Sequence, residues 1–130
     1  MNRIIKALAI GALLAVAACA RTGPIYNIAD APVSTASGKA LPASQVRAAI
    51  IAAGTSLGWR IADAGPNQLE GTLVLRTHTA VVDIAYTATT YAIQYKRSEN
   101  LYASGQTIHS NYNGWIQNLD RAIRTELSRL

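Results

Sequence analysis

The amino-acid sequence predicts a small α+β domain in which four antiparallel strands form a meander and two helices cover one face of the sheet. Three observations carry this prediction. Two stretches with helical periodicity enclose a central region, that region contains four short runs with strand character, and the links between the last three are short enough for hairpins. A two-layer sandwich buries these apolar faces economically, so we expect the order α-β-β-β-β-α within residues 42–130.

The first helix is predicted to begin after Pro42. Ser44 is the expected N-cap, because its hydroxyl can accept a hydrogen bond from a free backbone N–H of the first turn. Gly58 supplies a C-terminal stop. Apolar residues recur between them at helical spacing, at Val46, Ala49, Ile50, Ala53 and Leu57.

The four strand-like runs lie between Trp59 and Arg97. They span residues 59–64, 69–76, 80–87 and 91–97. Alternation in the last three places one set of residues on a single face, which we expect to be buried: Leu69, Gly71, Leu73, Leu75, Ala80, Val82, Ile84, Tyr86, Tyr91, Ile93 and Tyr95.

The second helix is predicted to run from Asn113 or Gly114 to Arg129, after a polar connection over residues 98–113. Its apolar stripe consists of Ile116, Leu119, Ile123, Leu127 and Leu130. The layout of all these elements resembles the helix-grip type of small envelope domain, including modules in lipoproteins of the β-barrel assembly machinery. A layout of this kind implies a fold class and no particular activity.

The first 19 residues carry the most specific pattern in the chain. Arg3 and Lys6 give it a positively charged start, and residues 7–18 are apolar or small. This run matches a signal-peptide core and is shorter than the roughly 20 residues of a membrane-spanning helix. The pattern ends in Val16, Ala17, Ala18 and Cys19. This tetrapeptide resembles the lipobox of bacterial lipoproteins.

The lipobox resemblance implies that residues 1–18 are a signal peptide and that the mature chain begins at an acylated Cys19. Two or three acyl chains would hold the protein permanently on a membrane. Ala20, in place of an aspartate, implies the outer membrane, with the domain facing the periplasm. Cys19 is the only cysteine, so an acylated chain has no internal disulfide.

Residues 20–41, which follow Cys19, are predicted to be a flexible linker, because they are rich in Gly, Pro, Ser and Thr and have no regular apolar period. A coil of this length has an average reach of about 25 Å, which would hold the domain clear of the membrane. One alternative is open here, namely that Ile25–Ile28 docks on the domain as an edge strand.

Composition does not indicate a nucleic-acid-binding protein. Removal of residues 1–18 takes away Arg3 and Lys6 and leaves 10 basic and 7 acidic residues, a net charge of +3. That surplus is small. The expected contacts are therefore with the membrane, through the acyl chains, and with another envelope protein.

His78 and His109, with Asp83, Ser98 or Glu99 near one or the other in sequence, supply residue types for a hydrolase or a metal site. The sequence has no H-E-x-x-H and no G-x-S-x-G motif. We therefore predict no catalytic residue, no metal and no cofactor beyond the covalent lipid. A hydrolase would require both histidines to converge with a carboxylate in a cleft.

The segment from Ile108 to Trp115 is the densest patch of polar and aromatic residues. It has a structural interpretation, in which Asn111 and Asn113 cap a helix while Tyr112 or Trp115 covers the core. It also has a functional interpretation, an exposed recognition surface. That surface would consist of His109, Asn111, Tyr112, Tyr91, Tyr95 and Tyr102.

The leading functional hypothesis is a non-catalytic, membrane-anchored interaction or assembly-accessory module of the bacterial envelope. The alternative is a lipoprotein that binds a small ligand, such as a glycan, a lipid or another hydrophobic molecule. An apolar pocket between helices and sheet would favour the ligand binder, whereas a packed core with an exposed patch would favour the interaction module.

Overall fold

The computed structural model describes residues 21–130. The predicted signal peptide (1–18) and the lipobox with Cys19 lie outside the described residues. The elements, in chain order, are β1 (Thr22–Pro24), β2 (Ile28–Pro32), α1 (Ala43–Ser56), β3 (Arg60–Gly65), β4 (Gln68–Leu75), β5 (His78–Tyr86), β6 (Thr90–Glu99), β7 (Thr107–His109) and α2 (Ser110–Ser128).

The main sheet has five antiparallel strands in the order β2-β6-β5-β4-β3. The α+β class and the meander of β3 to β6 are confirmed. The predicted four-stranded sheet and the order α-β-β-β-β-α are wrong, because β2 joins the sheet from the N-terminal side and β1 pairs with β7 in a separate two-stranded sheet. The observed order is β-β-α-β-β-β-β-β-α.

One face of the main sheet and both helices form a single apolar core. The predicted alternation is confirmed in the middle of the sheet, since Leu69, Ile84 and Ile93 lie side by side on β4, β5 and β6 and are fully buried. It is wrong for Leu75, the last residue of β4, which is 46% exposed, and Leu57 and Leu130, which follow the ends of α1 and α2, are exposed as well. The helices contribute the stripes expected from their periodicity: Val46, Ala49, Ile50, Ala53, Ile116, Leu119, Ile123 and Leu127.

The close approach of α1 to the sheet depends on two glycines. A Cβ at Gly54 would lie 2.7 Å from Cδ1 of Ile61, and a Cβ at Gly71 would lie 3.2–3.3 Å from the side chains of Val82, Ile61 and Trp59. Larger residues at these positions would push the helix and the β3 side of the sheet apart.

The structure differs from the predicted linker over residues 22–32, which contain β1 and β2, whereas residues 33–41 contain no helix or strand. Ile28 is buried and lies opposite Ile93, and Ala31 lies opposite Tyr91, so β2 is an edge strand on β6. The side-chain oxygen of Asn27 accepts a hydrogen bond of 2.8 Å from the backbone N–H of Tyr95. The alternative of a docked edge strand describes this segment better, but its bounds differ: the strand was expected at Ile25–Ile28 and is found at Ile28–Pro32.

Two hydrogen bonds from the side chain of Asn113, here called the Asn113 clasp, hold the start of the described chain against α2. The Asn113 side chain accepts a hydrogen bond of 2.9 Å from the backbone N–H of Tyr26 and donates one of 2.8 Å to the carbonyl of Pro24. The amide of Asn113 thus supplies the hydrogen-bond partners that a neighbouring strand would otherwise give to the N–H of Tyr26 and the carbonyl of Pro24.

The first helix begins after Pro42, as predicted, but its cap and the start of the second helix differ from the prediction. The residue before α1 is Pro42, which has no side-chain cap, and Ser44 lies within the first turn. α2 begins at Ser110, within the predicted polar connection, because the Nδ1 atom of His109 accepts a hydrogen bond of 3.1 Å from the backbone N–H of Asn111. His109 is therefore the N-cap of α2.

Candidate interaction surfaces

Two of the predicted recognition residues lie in the core. Tyr91 and Tyr112 are 1% and 0% exposed, so the expectation that they belong to an exposed surface is wrong. Both rings fill the layer between sheet and helices, which is where the strand and helix periodicities place them. Tyr95 is half-buried, whereas Tyr102 is 71% exposed and Asn111 is exposed.

The Tyr91 hydroxyl connects β6 to α2. It donates a hydrogen bond of 2.5 Å to Oδ1 of Asp120, and Oδ2 of the same carboxylate accepts one of 3.0 Å from Nε of Arg124. Burial and the hydrogen bond to Asp120 raise the pKa of Tyr91 well above its usual value. The three side chains thereby connect the sheet to α2.

Tyr112 is the counterpart without a partner. Its hydroxyl is the one buried side-chain N or O atom without a hydrogen bond among the described residues, and burial raises the pKa of Tyr112. Its ring packs edge to face against Tyr95 with 5.6 Å between the ring centroids. The Tyr95 hydroxyl lies 2.9 Å from that of Ser98 and forms its hydrogen bond there, so the Tyr112 hydroxyl has no partner in Tyr95.

His78 joins the β4–β5 turn to the segment after β6. Its Nδ1 atom donates a hydrogen bond of 2.7 Å to the carbonyl of Asn100, and the Asn100 amide donates one of 2.7 Å to the Thr77 hydroxyl. The ring also faces Trp115 with 6.3 Å between centroids. Because a carbonyl only accepts, this bond fixes a proton on Nδ1.

His109 lies at the same end of the domain. Its backbone N–H donates to the carbonyl of Leu101, one residue after Asn100, and the backbone N–H of Ser110 donates to the carbonyl of Arg21, both at 2.8 Å. We call this end, which also contains the β4–β5 turn, the Arg21 end. Tyr102 projects from it, with its ring 6.2 Å from that of His109.

The two histidines thus lie at one end of the domain, and both are engaged in structural hydrogen bonds. Each Nδ1 atom bonds to a backbone group, of Asn100 for His78 and of Asn111 for His109. In the described part of the chain, neither ring has a hydrogen bond or ion pair with a carboxylate. The arrangement lacks the carboxylate that orients the histidine of a hydrolytic triad.

The face of the main sheet opposite the helices, here called the open face, carries a charged network. Nζ of Lys96 on β6 lies 2.8 Å from Oε2 of Glu70 on β4 and 3.5 Å from Oδ1 of Asp83 on β5. Arg97 approaches the other Glu70 oxygen at 3.9 Å. Two basic side chains on β6 thus face two carboxylates, which lie opposite each other on β4 and β5.

The network shifts the ionisation of its members. The hydrogen bond from Lys96 lowers the pKa of Glu70, and the same bond raises the pKa of Lys96. Sequence reasoning singled out only Asp83, as a possible partner of a histidine, although the alternation of β4 and β5 already placed Glu70 and Asp83 on one face. What it lacked was the bulge at Val81 and Val82, where the register between β5 and β6 shifts and which brings Arg97 opposite Val81.

The two edges of the main sheet differ. β2 is short, has a register shift between Ile28 and Ala31, and ends at Pro32, features that discourage pairing with another strand. β3 spans six residues, most of them exposed, and pairs only with β4 among the described strands; its own register shift is confined to its last residues, between Asp63 and Gly65. Its outer backbone groups are available to an added strand.

Grooves are found on the outer surfaces of the layers. One of about 450 Å³ lies between the end of α1 and α2, and its lining includes Ser56, Asn118 and Arg121. Another of about 290 Å³ lies on the open face, with Asp83 and Gln94 in its lining. Between the layers, the described residues form the packed core of aliphatic and aromatic side chains.

Other indicators of function are sparse. The described residues contain no group of three His, Cys, Asp or Glu side chains that could hold a metal ion. Within residues 21–130, neither helix is long and apolar enough to cross a membrane. Comparisons of the chain with protein-family models, with curated proteins and with solved structures found no match.

Proposed function

We propose that the chain is a bacterial lipoprotein, anchored in the outer membrane through an acylated Cys19, whose periplasmic domain is a non-catalytic interaction module for another envelope protein. The anchoring part rests on the lipobox of residues 16–19. The interaction part rests chiefly on one observation, the free edge of β3 beside an open sheet face.

An added strand from a partner would extend the sheet at β3. Backbone hydrogen bonds would supply affinity, and side chains of the open face would supply specificity. Arg60 and Ala62 are exposed on β3, and Ala62 lies opposite Glu70, so a partner strand would adjoin the charged network. Charges of both signs favour one register of a complementary strand over others.

The packed core favours the interaction module over the alternative, a small-ligand binder between helices and sheet. Ile50, Ile84 and Ile116 are fully buried in the layer that a ligand would have to enter. The non-catalytic assignment is supported by the structural hydrogen bonds of His78 and His109.

The test combines lipid analysis with site-specific photocrosslinking in intact cells. Intact mass measurement should show the added acyl groups on the mature wild-type chain and none on a Cys19→Ser variant. A photoreactive amino acid at Ala62, on β3, should crosslink to one discrete envelope protein. The matched control places it at Gln117, which is exposed on α2.

The proposal makes two separable demands. Unmodified Cys19 in the wild-type protein would refute the lipoprotein assignment. Equal crosslinking from Ala62 and Gln117, or none from either, would refute a partner on the β3 edge while leaving the lipid anchor intact.

A further inference from the structure

We infer that the Arg21 end of the domain rests directly on the lipid surface, and that Val74, Leu75, Arg76 and Tyr102 form the contact. We call these four residues the contact patch. The inference rests on the proposed acylation of Cys19. In place of a domain held away from the membrane by a flexible linker, it gives a domain docked on the membrane in a fixed orientation.

The length of chain between the lipid and the domain sets the distance. Only Ala20 separates Cys19 from Arg21. Two residues span at most about 7 Å even when fully extended, which is less than the thickness of a headgroup layer together with its first shell of water. The Arg21 end therefore cannot move away from the surface that holds the acyl chains.

Arg21 itself is attached to the folded domain. Its carbonyl accepts the hydrogen bond from the backbone N–H of Ser110, and the next three residues form β1 against β7. The clasp made by Asn113 holds the chain again at Pro24 and Tyr26. Release of this segment would break all these bonds together. Detachment of β1 is therefore not an easy way to lengthen the connection between Cys19 and the domain.

The contact patch lies at this same end. Leu75 pairs with His78, whose ring is hydrogen-bonded to Asn100, and the carbonyl of Leu101 is bonded to His109 beside Ser110. A continuous set of contacts thus connects the β4–β5 turn and Tyr102 to the residue that holds Arg21.

The patch has the composition of a membrane-interface contact. Val74, Leu75 and Tyr102 are 58%, 46% and 71% exposed, and they account for three of the six large apolar or aromatic side chains that are exposed among the described residues. Arg76, the residue after Leu75, adds a positive charge at the turn. Aliphatic residues beside tyrosine and arginine suit the boundary between headgroups and acyl chains.

The opposite end of the sheet offers no such surface. Its two turns contain Gly65, Pro66 and Asn67 and Thr87, Ala88 and Thr89, without a large apolar side chain. Arg76 and Asn67 both have positive φ angles, of 58° and 55°, in turns at the two ends of β4. Each end of β4 thus has a turn residue with positive φ, but the side chains around it differ in chemistry.

Docking at the contact patch orients the whole sheet. The strands rise from the membrane, and the nine steps from Arg76 to Asn67 carry the opposite end about 30 Å above the headgroups. The open face and the β3 edge then stand roughly upright, accessible from the side.

Spin labels at the two ends of β4 test this orientation. The full acylated chain, carrying either Arg76→Cys or Asn67→Cys, is purified from membranes and its acylation is confirmed by intact mass. It is then labelled with a nitroxide and reconstituted into vesicles of phosphatidylethanolamine and phosphatidylglycerol. Collision rates with oxygen and with a water-soluble nickel chelate give the depth of each label.

We expect the label at position 76 to be shielded from the nickel chelate and the label at position 67 to be fully accessible. Equal accessibility of the two labels in acylated protein would overturn the inference and leave the proposed function untouched. A mass without acyl groups would instead overturn the proposed function.

A second variant separates the patch from the tether. Leu75→Ser with Tyr102→Ser, in the Arg76→Cys background, should raise nickel access at position 76 toward that at position 67. Both residues are exposed, so the fold should persist, which circular dichroism can verify. Unchanged access would show that the tether alone positions the domain, and would overturn the assignment of the patch.

Discussion

The covered face and the open face of the main sheet are built from the same strands, yet different forces hold their side chains. On the covered face, Ile84 and Ile93 are fully buried beneath the helices, and Tyr91 is tied to Asp120 by a hydrogen bond. On the open face, Lys96 and Glu70 form an ion pair in contact with water. Burial dominates the first face, and screened electrostatics the second.

The difference indicates how stability and function divide within the domain. A change on the covered face removes buried area and leaves a cavity or an unpaired polar atom, whereas the open face can change with little loss of stability. The side chains of the open face can therefore change without loss of the fold, as a surface that binds a partner requires.

The largest effect should come from Ile84→Ala on the covered face. Loss of buried methylenes and the resulting cavity should lower the free energy of unfolding by about 2–5 kcal/mol. Val74→Ala is the matched change on the open face, where the side chain is 58% exposed, and should shift it by less than about 0.5 kcal/mol. Urea denaturation measures both, and similar losses would contradict the contrast between the faces.

Within the covered face, Tyr91→Phe and Tyr112→Phe should differ. Removal of the Tyr91 hydroxyl deprives the Asp120 carboxylate of a donor and should cost about 1–3 kcal/mol. The Tyr112 hydroxyl has no partner, so its removal should be neutral or stabilising. A larger loss for Tyr112→Phe, measured by the same denaturation, would show that the hydroxyl has a partner in solution.

The same two tyrosines should make the folded state sensitive to alkali. Their pKa values are raised in the folded state, so the stability they contribute is present below the ordinary value of 10.0 and is lost as pH rises above it. Absorbance at alkaline pH should show two phenols that ionise late, together with unfolding. Each Tyr→Phe variant should reduce that late step, and an unchanged step would assign it to other residues.

The smallest effect should follow Glu70→Gln on the open face. The pKa of Glu70 is lowered in the folded state, so its contribution is present above the ordinary value of 4.5 and is lost as pH falls below it. The denaturation midpoint should therefore shift less than for Tyr91→Phe at neutral pH, and the shift should become smaller as pH falls below 4.5. A shift that does not change with pH would show that packing of the side chain, and not its charge, is responsible.

The periodicity of the sequence was sufficient for the regular elements. Leu69, Ile84 and Ile93 alternate with polar residues, and the stripe of α2 recurs at helical spacing, so local pattern and tertiary burial agree. The position of Tyr91 in the core follows from the strand alternation, and its assignment to an exposed surface set that pattern aside. Tyr112 was misplaced for another reason, because the predicted helix began after it, whereas α2 begins at Ser110 and extends the apolar stripe to Tyr112.

Local pattern failed where order depends on distant partners. β2 buries Ile28 and Ala31, three positions apart, because a bulge interrupts the strand, and this spacing hides its alternation. β1 and β7 are three residues each, too short to show a period, and they form by pairing with each other across the chain. The N-cap of α2 was also missed, since histidine is not among the residues that usually signal a helix start.

The clasp of Asn113 joins positions 87 and 89 residues apart in the chain. Loop-closure entropy opposes such distant contacts until the intervening sheet has formed. The clasp can therefore close only after α2 has been added to the sheet. In the acylated chain that we propose, the N-terminal segment would emerge first and α2 last, so closure of the clasp and docking of the domain on the membrane would both come at the end of folding.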